Sequence, residues 1–392
     1  MAARVKEARA AGRWCSALVG LAAVSGLAAS ACAGEPPLFT ATLIPQLDGG
    51  DPPITDAFAI NDGGVVTGSF GFPSVGFNWS QGGGAQTFSS LYGFGNSAGI
   101  DINNSGQVVG WVQAGGAPQA FIGNPDGSFT ALPRLIDDPR VEAGATGVND
   151  HGFVVGYGAI EPNGGFGADT HAVAWRDGSI IDMGTLGGFV TAATAVNNAG
   201  VAVGYGNEAN VQQVRAFRWT EGGGMEPLER YDEGFVAMAW DVNDAGLITG
   251  AAEGLFHGEY GRAPAYWGPD GSLVTIPFHF DPAQGIPSAA DIYAVNESMQ
   301  MVGQELDPVA FALHAMYWHE GESYVLSDYV VDLPAGLRFD SAVDINEDGQ
   351  ILVRAFDTVN IQFVSVLLTP VPAPGAGLVL GAGLLAAARR RR

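Results

Sequence analysis

One phrase recurs seven times along the chain, each time built around an asparagine: Asn61, Asn103, Asn149, Asn197, Asn243, Asn296 and Asn346. The clearest copies read AFAINDGGVVTG (57–68), GATGVNDHGFVVG (144–156), AATAVNNAGVAVG (192–204) and MAWDVNDAGLITG (238–250). Successive asparagines lie 42, 46, 48, 46, 53 and 50 positions apart. A period of this size marks stacked structural units, and blades of roughly 40–50 residues are the propeller signature. A residue that stands in every copy is therefore read first as part of the scaffold.

Within the phrase, Ile or Val precedes each Asn, and the residue four positions before it is small, Ile292 excepted. That alternation predicts a short strand with one closely packed face. Gly stands three positions after Asn in every copy but one, where Met299 replaces it. Asn at the first and Gly at the fourth position predict a type I turn capped by the Asn side chain. An apolar pair such as Val154-Val155 follows, then often a second Gly, so each copy reads as a β-hairpin.

A second module follows the hairpin: GFNW (76–79), QAFIG (119–123), HAVAW (171–175), RAFRW (215–219), APAYW (263–267) and HAMYW (314–318). Most copies continue through a Gly turn into another apolar strand, as in DGSIIDMGTL (177–186). About four strands per unit leave a face uncovered unless neighbours pack on it. Ring closure protects the edges, so the expected fold is all-β, a seven-bladed propeller. The last unit is short, with only NIQFVSVLLTP (360–370) after DINEDGQILV (344–353). The segment LFTATLIPQL (38–47) supplies the missing strand and is expected to clasp the ring. A count of six or eight blades stays open if an end unit fails to close.

These motifs, above all HAVAWRDGSIIDMGTLGG (171–188) followed by AATAVNNAGVAVG, resemble the HAF-repeat family of exported bacterial proteins over roughly residues 55–365. His occurs in only two copies of the short motif, His171 and His314, with Arg215 in its place in another, so it is not a repeated ligand. The resemblance implies an extracellular or surface repeat protein and no known activity.

The chain ends carry transport signals. Residues 1–33 combine Arg4, Lys6, Arg9 and Arg13, an apolar run and Ala-Cys-Ala, the pattern of a secretory signal peptide. Cleavage after Ala33 removes Cys15 and Cys32 and leaves no disulfide; Ser30-Ala31-Cys32 offers an alternative lipoprotein cut. The propeller then spans 34–369. Residues 370–392 form a Pro-rich hinge, an apolar segment and the cluster Arg389, Arg390, Arg391 and Arg392. The apolar stretch covers only about 21 Å as a helix, short of the ~30 Å hydrocarbon core. The arginines should stay cytoplasmic and leave the propeller outside. The tail resembles the PEP-CTERM sorting signal of Gram-negative bacteria, with Pro372 and Pro374 as its Pro motif and Ala373 in place of the usual Glu. That resemblance implies an exosortase-like processing enzyme acting near the prolines, at the inner membrane on the way to the cell surface. The alternative is a permanent single-pass anchor.

The formal net charge of −24 repels nucleic acid and anionic lipid. Three short stretches match chemical motifs. Asp344, Asn346 and Asp348 match the start of a calcium loop, yet its twelfth position is Ala355 where a bidentate Glu is needed. Gly95-Asn96-Ser97-Ala98-Gly99 matches G-x-S-x-G but lacks the strand-to-helix context of a nucleophile elbow. His314 and His319 lack the helical spacing of a metal pair. Trp79, Trp175, Trp219, Trp267 and Trp318 recur at one strand end and are expected between blades, whereas Trp111, Trp240, Tyr157 and Tyr205 are better placed to stack on sugar rings. No catalytic residue, cofactor or metal is expected. The reading is an exported, non-enzymatic surface or matrix protein contacting exopolysaccharide. The alternative is an extracellular propeller hydrolase or lyase, which needs carboxylates of unequal proton affinity; Asp137, Asp138, Glu208, Glu259 and Asp291 are scattered in the sequence.

Overall fold

A computed structural model describes residues 36–45, 55–71, 73–88, 96–114, 116–161, 169–209, 213–231, 234–256, 259–280 and 289–372. The signal segment 1–33 and the tail from Ala373 onward lie outside the described residues. Seven antiparallel sheets follow one another around an axis. Blades 1 to 6 begin with the inner strands Thr55–Ile60, Ser97–Ile102, Ala143–Val148, Gly187–Val196, Ala237–Val242 and Ala290–Val295, and each adds three strands outward in chain order. Blade 7 has Leu337–Ile345, Ile351–Asp357 and Gln362–Pro370 in chain order, and its fourth strand is Phe39–Leu43 from the other end of the chain. That strand pairs antiparallel from Phe39↔Pro370 to Leu43↔Val366, as the sequence predicts. It also pairs in parallel with Val330–Val331.

Each inner hairpin is built by its asparagine. The backbone N–H of Asn61 donates to Val65 O and that of Gly64 donates to Asn61 O, while Asn61 Oδ1 accepts from Val65 N at 3.0 Å. The turn is thus a three-residue loop, a type I turn whose last residue is left-handed. Gly64 sits at φ 70°, a conformation that costs an L-residue roughly 1–2 kcal/mol. Met299 accepts that cost at φ 57°.

Every inner strand carries a β-bulge three positions before its Asn, at Phe58, Ile100, Thr146, Thr194, Trp240, Tyr293 and Val343. The bulge pushes a carbonyl against the second strand, which explains the second Gly of the repeat. A Cβ at Gly156 would lie 2.0 Å from the Gly144 carbonyl oxygen. Blade 7, whose inner strand has a further register shift, carries Val353 there instead.

The asparagines also join the blades. Asn61 Nδ2 donates to Asn103 O, Asn103 to Asn149 O, Asn149 to Asn197 O, and so on through Asn243, Asn296 and Asn346, which returns to Asn61 O. All seven bonds are 2.9–3.2 Å long, and all seven side chains are buried. The result is a closed hydrogen-bonded ring about the axis. Outside it, apolar clusters fill the blade interfaces: Phe153, Val155, Ala193 and Trp219 between blades 3 and 4, and Phe77, Trp79, Leu352 and Leu367 across the closing seam. The repeated tryptophans Trp79, Trp175, Trp219, Trp267 and Trp318 are all buried.

Two substitutions test this construction in the urea midpoint. Asn149→Asp keeps the turn-capping oxygen but sets a carboxylate against Asn197 O, and should cost about 1–3 kcal/mol, like Asn149→Ala. Wild-type stability in the Asp variant would mean that the inter-blade bond contributes nothing. Met299→Gly relieves the left-handed strain and should stabilise by roughly 0.5–1 kcal/mol.

Candidate functional site

Immediately beyond the asparagine ring lies a second one. Asp62, Asn104, Asp150, Asn198, Asp244, Glu297 and Glu347 each follow a ring Asn, and each side chain accepts from the backbone N–H of its counterpart one blade earlier. Asn104 and Asn198 also donate to the flanking aspartates, Asn104 to Asp62 at 2.7 Å and Asn198 to Asp244 at 2.9 Å. These groups, with the ring asparagines other than Asn296 and the apolar residues before them, line a cavity of about 330 Å³ at the axis. Five carboxylates and two amides make this mouth strongly negative. Burial, and then Asp62, Glu297 and Asp244 nearby, raise the Glu347 carboxyl above its usual range.

Two positions before the Asn, three blades carry an aspartate: Asp101, Asp241 and Asp344. Each carboxylate accepts from the next residue's own N–H and from the backbone N–H of the following blade, Val148, Val295 and Ile60 respectively. Each keeps a strip of surface toward the channel and is otherwise walled by protein. Burial, opposed by those N–H donors and reinforced by neighbouring carboxylates, pushes Asp101 and Asp241 up to about 6 and Asp344 up to about 8. Asp344 spans the seam where the ring closes.

The calcium-like match comes apart in three dimensions. Asp344 bonds to the Ile60 and Ile345 amides inside the channel, and Asn346 is committed to Asn61 O, Gln350 Oε1 and Gln350 N. Asp348 lines a separate groove with Gly63, Gln81 and Pro370 at the seam. Among the described residues no three His, Cys, Asp or Glu side chains are grouped to hold a metal ion. The turn asparagines serve the scaffold. Ser97 of the G-x-S-x-G match begins an inner strand, where its hydroxyl accepts from Gly76 N. His314 packs on Phe280 with ring centroids 4.9 Å apart, and burial lowers its proton affinity. Three of the five scattered acids have local partners: Asp138 with Arg140, Glu208 with Arg215 and Arg230, Asp291 with Arg262. Pro372 is exposed at the end of the described chain; Pro374, Arg389, Arg390, Arg391 and Arg392 lie outside the described residues.

Of the four aromatics set apart in the sequence, Tyr205 and Trp240 come into ring contact. Tyr205 meets Trp240 edge-on at 5.4 Å, and Trp240 meets Tyr293 at 6.0 Å, so one ring from each of three successive blades joins a chain. Tyr157 stands next in line, its hydroxyl raised by burial and then by Glu142 and Tyr205. Trp240 and Tyr293 are bulge residues, and a bulge re-aims a side chain out of the pleat. Tyr293 was missed in the sequence, although it stands in the same repeat column as Trp240. The acidic ring was missed too, because its residues resemble ordinary turn positions until the copies are stacked.

No protein-family model matches the sequence, and no curated protein matches it. Among solved structures, virginiamycin B lyase from Staphylococcus aureus with quinupristin aligns at a TM-score of 0.50 and 11% identity, over 85% of this chain and 100% of that one. A streptogramin B lyase aligns at a TM-score of 0.50 and 12% identity, over 85% and 98%. The likeness is one of fold: the chain is a β-propeller.

The buried aspartates set a sign for pH dependence. Their folded proton affinities exceed the ordinary carboxyl value of 3.8, so the stability they contribute is complete below about pH 4 and is lost as pH rises through 6 and then 8. The denaturation midpoint should fall between pH 5 and pH 9, and Asp344→Asn should flatten the part above pH 7. A midpoint that rises over that interval would contradict the assignment.

Proposed function

We propose that the chain is an exported, non-enzymatic surface or matrix module that is sorted to the cell surface through its C-terminal tail and presents one propeller face outward on the way. The observation that carries this reading is where the chain ends leave the propeller. Phe39 pairs with Pro370, and Val371 N donates to Leu38 O, next to Gly63 and Asp348 on the face of the asparagine turns. Until the tail is processed, its attachment on that side keeps the asparagine-turn face toward the membrane and the opposite face away from it. HAF-like repeats, the signal segment and the PEP-CTERM-like tail support the same reading, with an exosortase-like enzyme as processing partner and exopolysaccharide as the polymer contacted.

The competing reading, a propeller hydrolase or lyase, draws on the channel aspartates, whose unequal proton affinities resemble an acid–base set. Both oxygens of each already accept from backbone N–H groups, one within its own strand and one across a blade seam, which supports a scaffold role.

Expression of residues 1–392 and 1–368 in a host carrying the sorting enzyme, followed by mass measurement and fractionation, tests the proposal. The expected product is a released species truncated near Pro372–Pro374 and dependent on the tail. Full-length protein retained in the membrane would make the tail a plain anchor.

A further inference from the structure

Trp240 is held unlike the scaffold tryptophans. Trp175 and Trp267 are fully buried, and their indole N–H groups donate to the backbone carbonyls of Pro133 and Glu229. Trp240 stays half-buried, and its indole N–H donates at 3.2 Å to Asp291, a fully buried carboxylate on the next blade. Asp291 is neutralised by Arg262. Burying an ion pair is costly, and it is not needed to pack an indole that a carbonyl could hold. What the pair does achieve is a fixed orientation for a ring that keeps part of its surface open.

The neighbours extend that surface. Trp240 and Tyr293 stand at the bulges of neighbouring inner strands, and each is half-buried, so both keep part of their surface open. Tyr205 joins them, and Tyr157 continues the series. Room for the second-strand rings is built in: Tyr157 pairs with Gly144 and Tyr205 with Ala192, and a Cβ at Gly144 would sit 2.6 Å from the Tyr157 ring.

We infer that Tyr205, Trp240 and Tyr293, with Tyr157 beside them, form a binding site for a neutral polysaccharide strand. This rests on the surface-module reading and names the ligand of its outward side. Sugar rings offer flat C–H faces to aromatic rings and hydroxyls to polar edges, here the tyrosine hydroxyls and Glu142. Charge decides against the other polymers. Arg262 is spent on Asp291, and the net charge of −24 repels polyanions. At the rings Asp291 is buried and paired, and Glu142 beside Tyr157 is a further carboxylate on hand for a basic ligand, which is why chitosan is among the probes.

The test uses the full chain, purified in mild detergent, in affinity electrophoresis and tryptophan-fluorescence titrations. Laminarin, dextran and hydroxyethyl cellulose are the neutral probes, with chitosan and alginate as charged ones. Retardation by at least one neutral glycan, insensitive to 0.3 M salt, is expected. Trp240→Ala and Tyr205→Ala should each weaken it on the order of tenfold, the loss typical of an aromatic anchor. Trp240→Phe, which keeps a ring, should retain most of it, and this guards against a misfolded alanine variant, as does the melting temperature of each protein. Three results would overturn the site: no neutral glycan bound, binding unchanged in Trp240→Ala, or binding only to chitosan and lost in salt. Any of them leaves the tail fractionation experiment unaffected, so failure of the site and failure of surface display are separable.

Discussion

The amide group of one side chain, repeated seven times, ties this fold together. Each ring asparagine uses its oxygen to cap its own turn and its nitrogen to reach the carbonyl of the next blade's asparagine. Only Asn has an acceptor and a donor at this reach on a planar group short enough to do both. Asp lacks the donor. The bonds are buried, where an unmade partner is expensive, so the ring works as an all-or-none constraint on blade number and spacing.

Other features follow from that constraint. Inner strands drawn together at the axis carry a bulge, the bulge directs a carbonyl onto the second strand, and glycine is needed there. The bulge also turns Thr146 and Thr194 toward the next blade, where their hydroxyls donate to Ala193 O and Ala239 O. In blades 5 and 6 the same position holds Trp240 and Tyr293. A structural device in some copies thus becomes a recognition surface in others. The repeat supplies the geometry, and its departures supply the chemistry.

The closing seam concentrates the stabilising contacts that chain connectivity cannot provide. Asn346 and Glu347 bond to blade 1, Asp344 accepts from Ile60 N, and Ser365 Oγ both accepts from Ala57 N and donates to Thr55 O. Together with the strand Phe39–Leu43, they close a ring whose ends lie more than 300 residues apart in sequence. Asp344 carries the highest proton affinity of the three channel aspartates because it is buried there and faces Asp241 and Asp101.

Periodicity alone determined the all-β class, the repeated units, the hairpin turns and the strand exchanged at the end, because each is local patterning or the arithmetic of one missing strand; that the ring closes at seven was decided in three dimensions. The seclusion of the five repeated tryptophans was legible for the same reason. What the sequence could not express is distance across the axis. Asn61 and Asn346 are neighbours only once the ring closes, so the donor role of the asparagines, the acidic second ring and the aspartate trio appear in three dimensions alone. The calcium-like run Asp344-Asn346-Asp348 failed on the same ground: adjacent residues in a strand and its turn face a channel, a ring and a groove. Tertiary structure alone brought Tyr205, Trp240 and Tyr293 together, because bulges and blade packing, not spacing along the chain, set where an aromatic ring points.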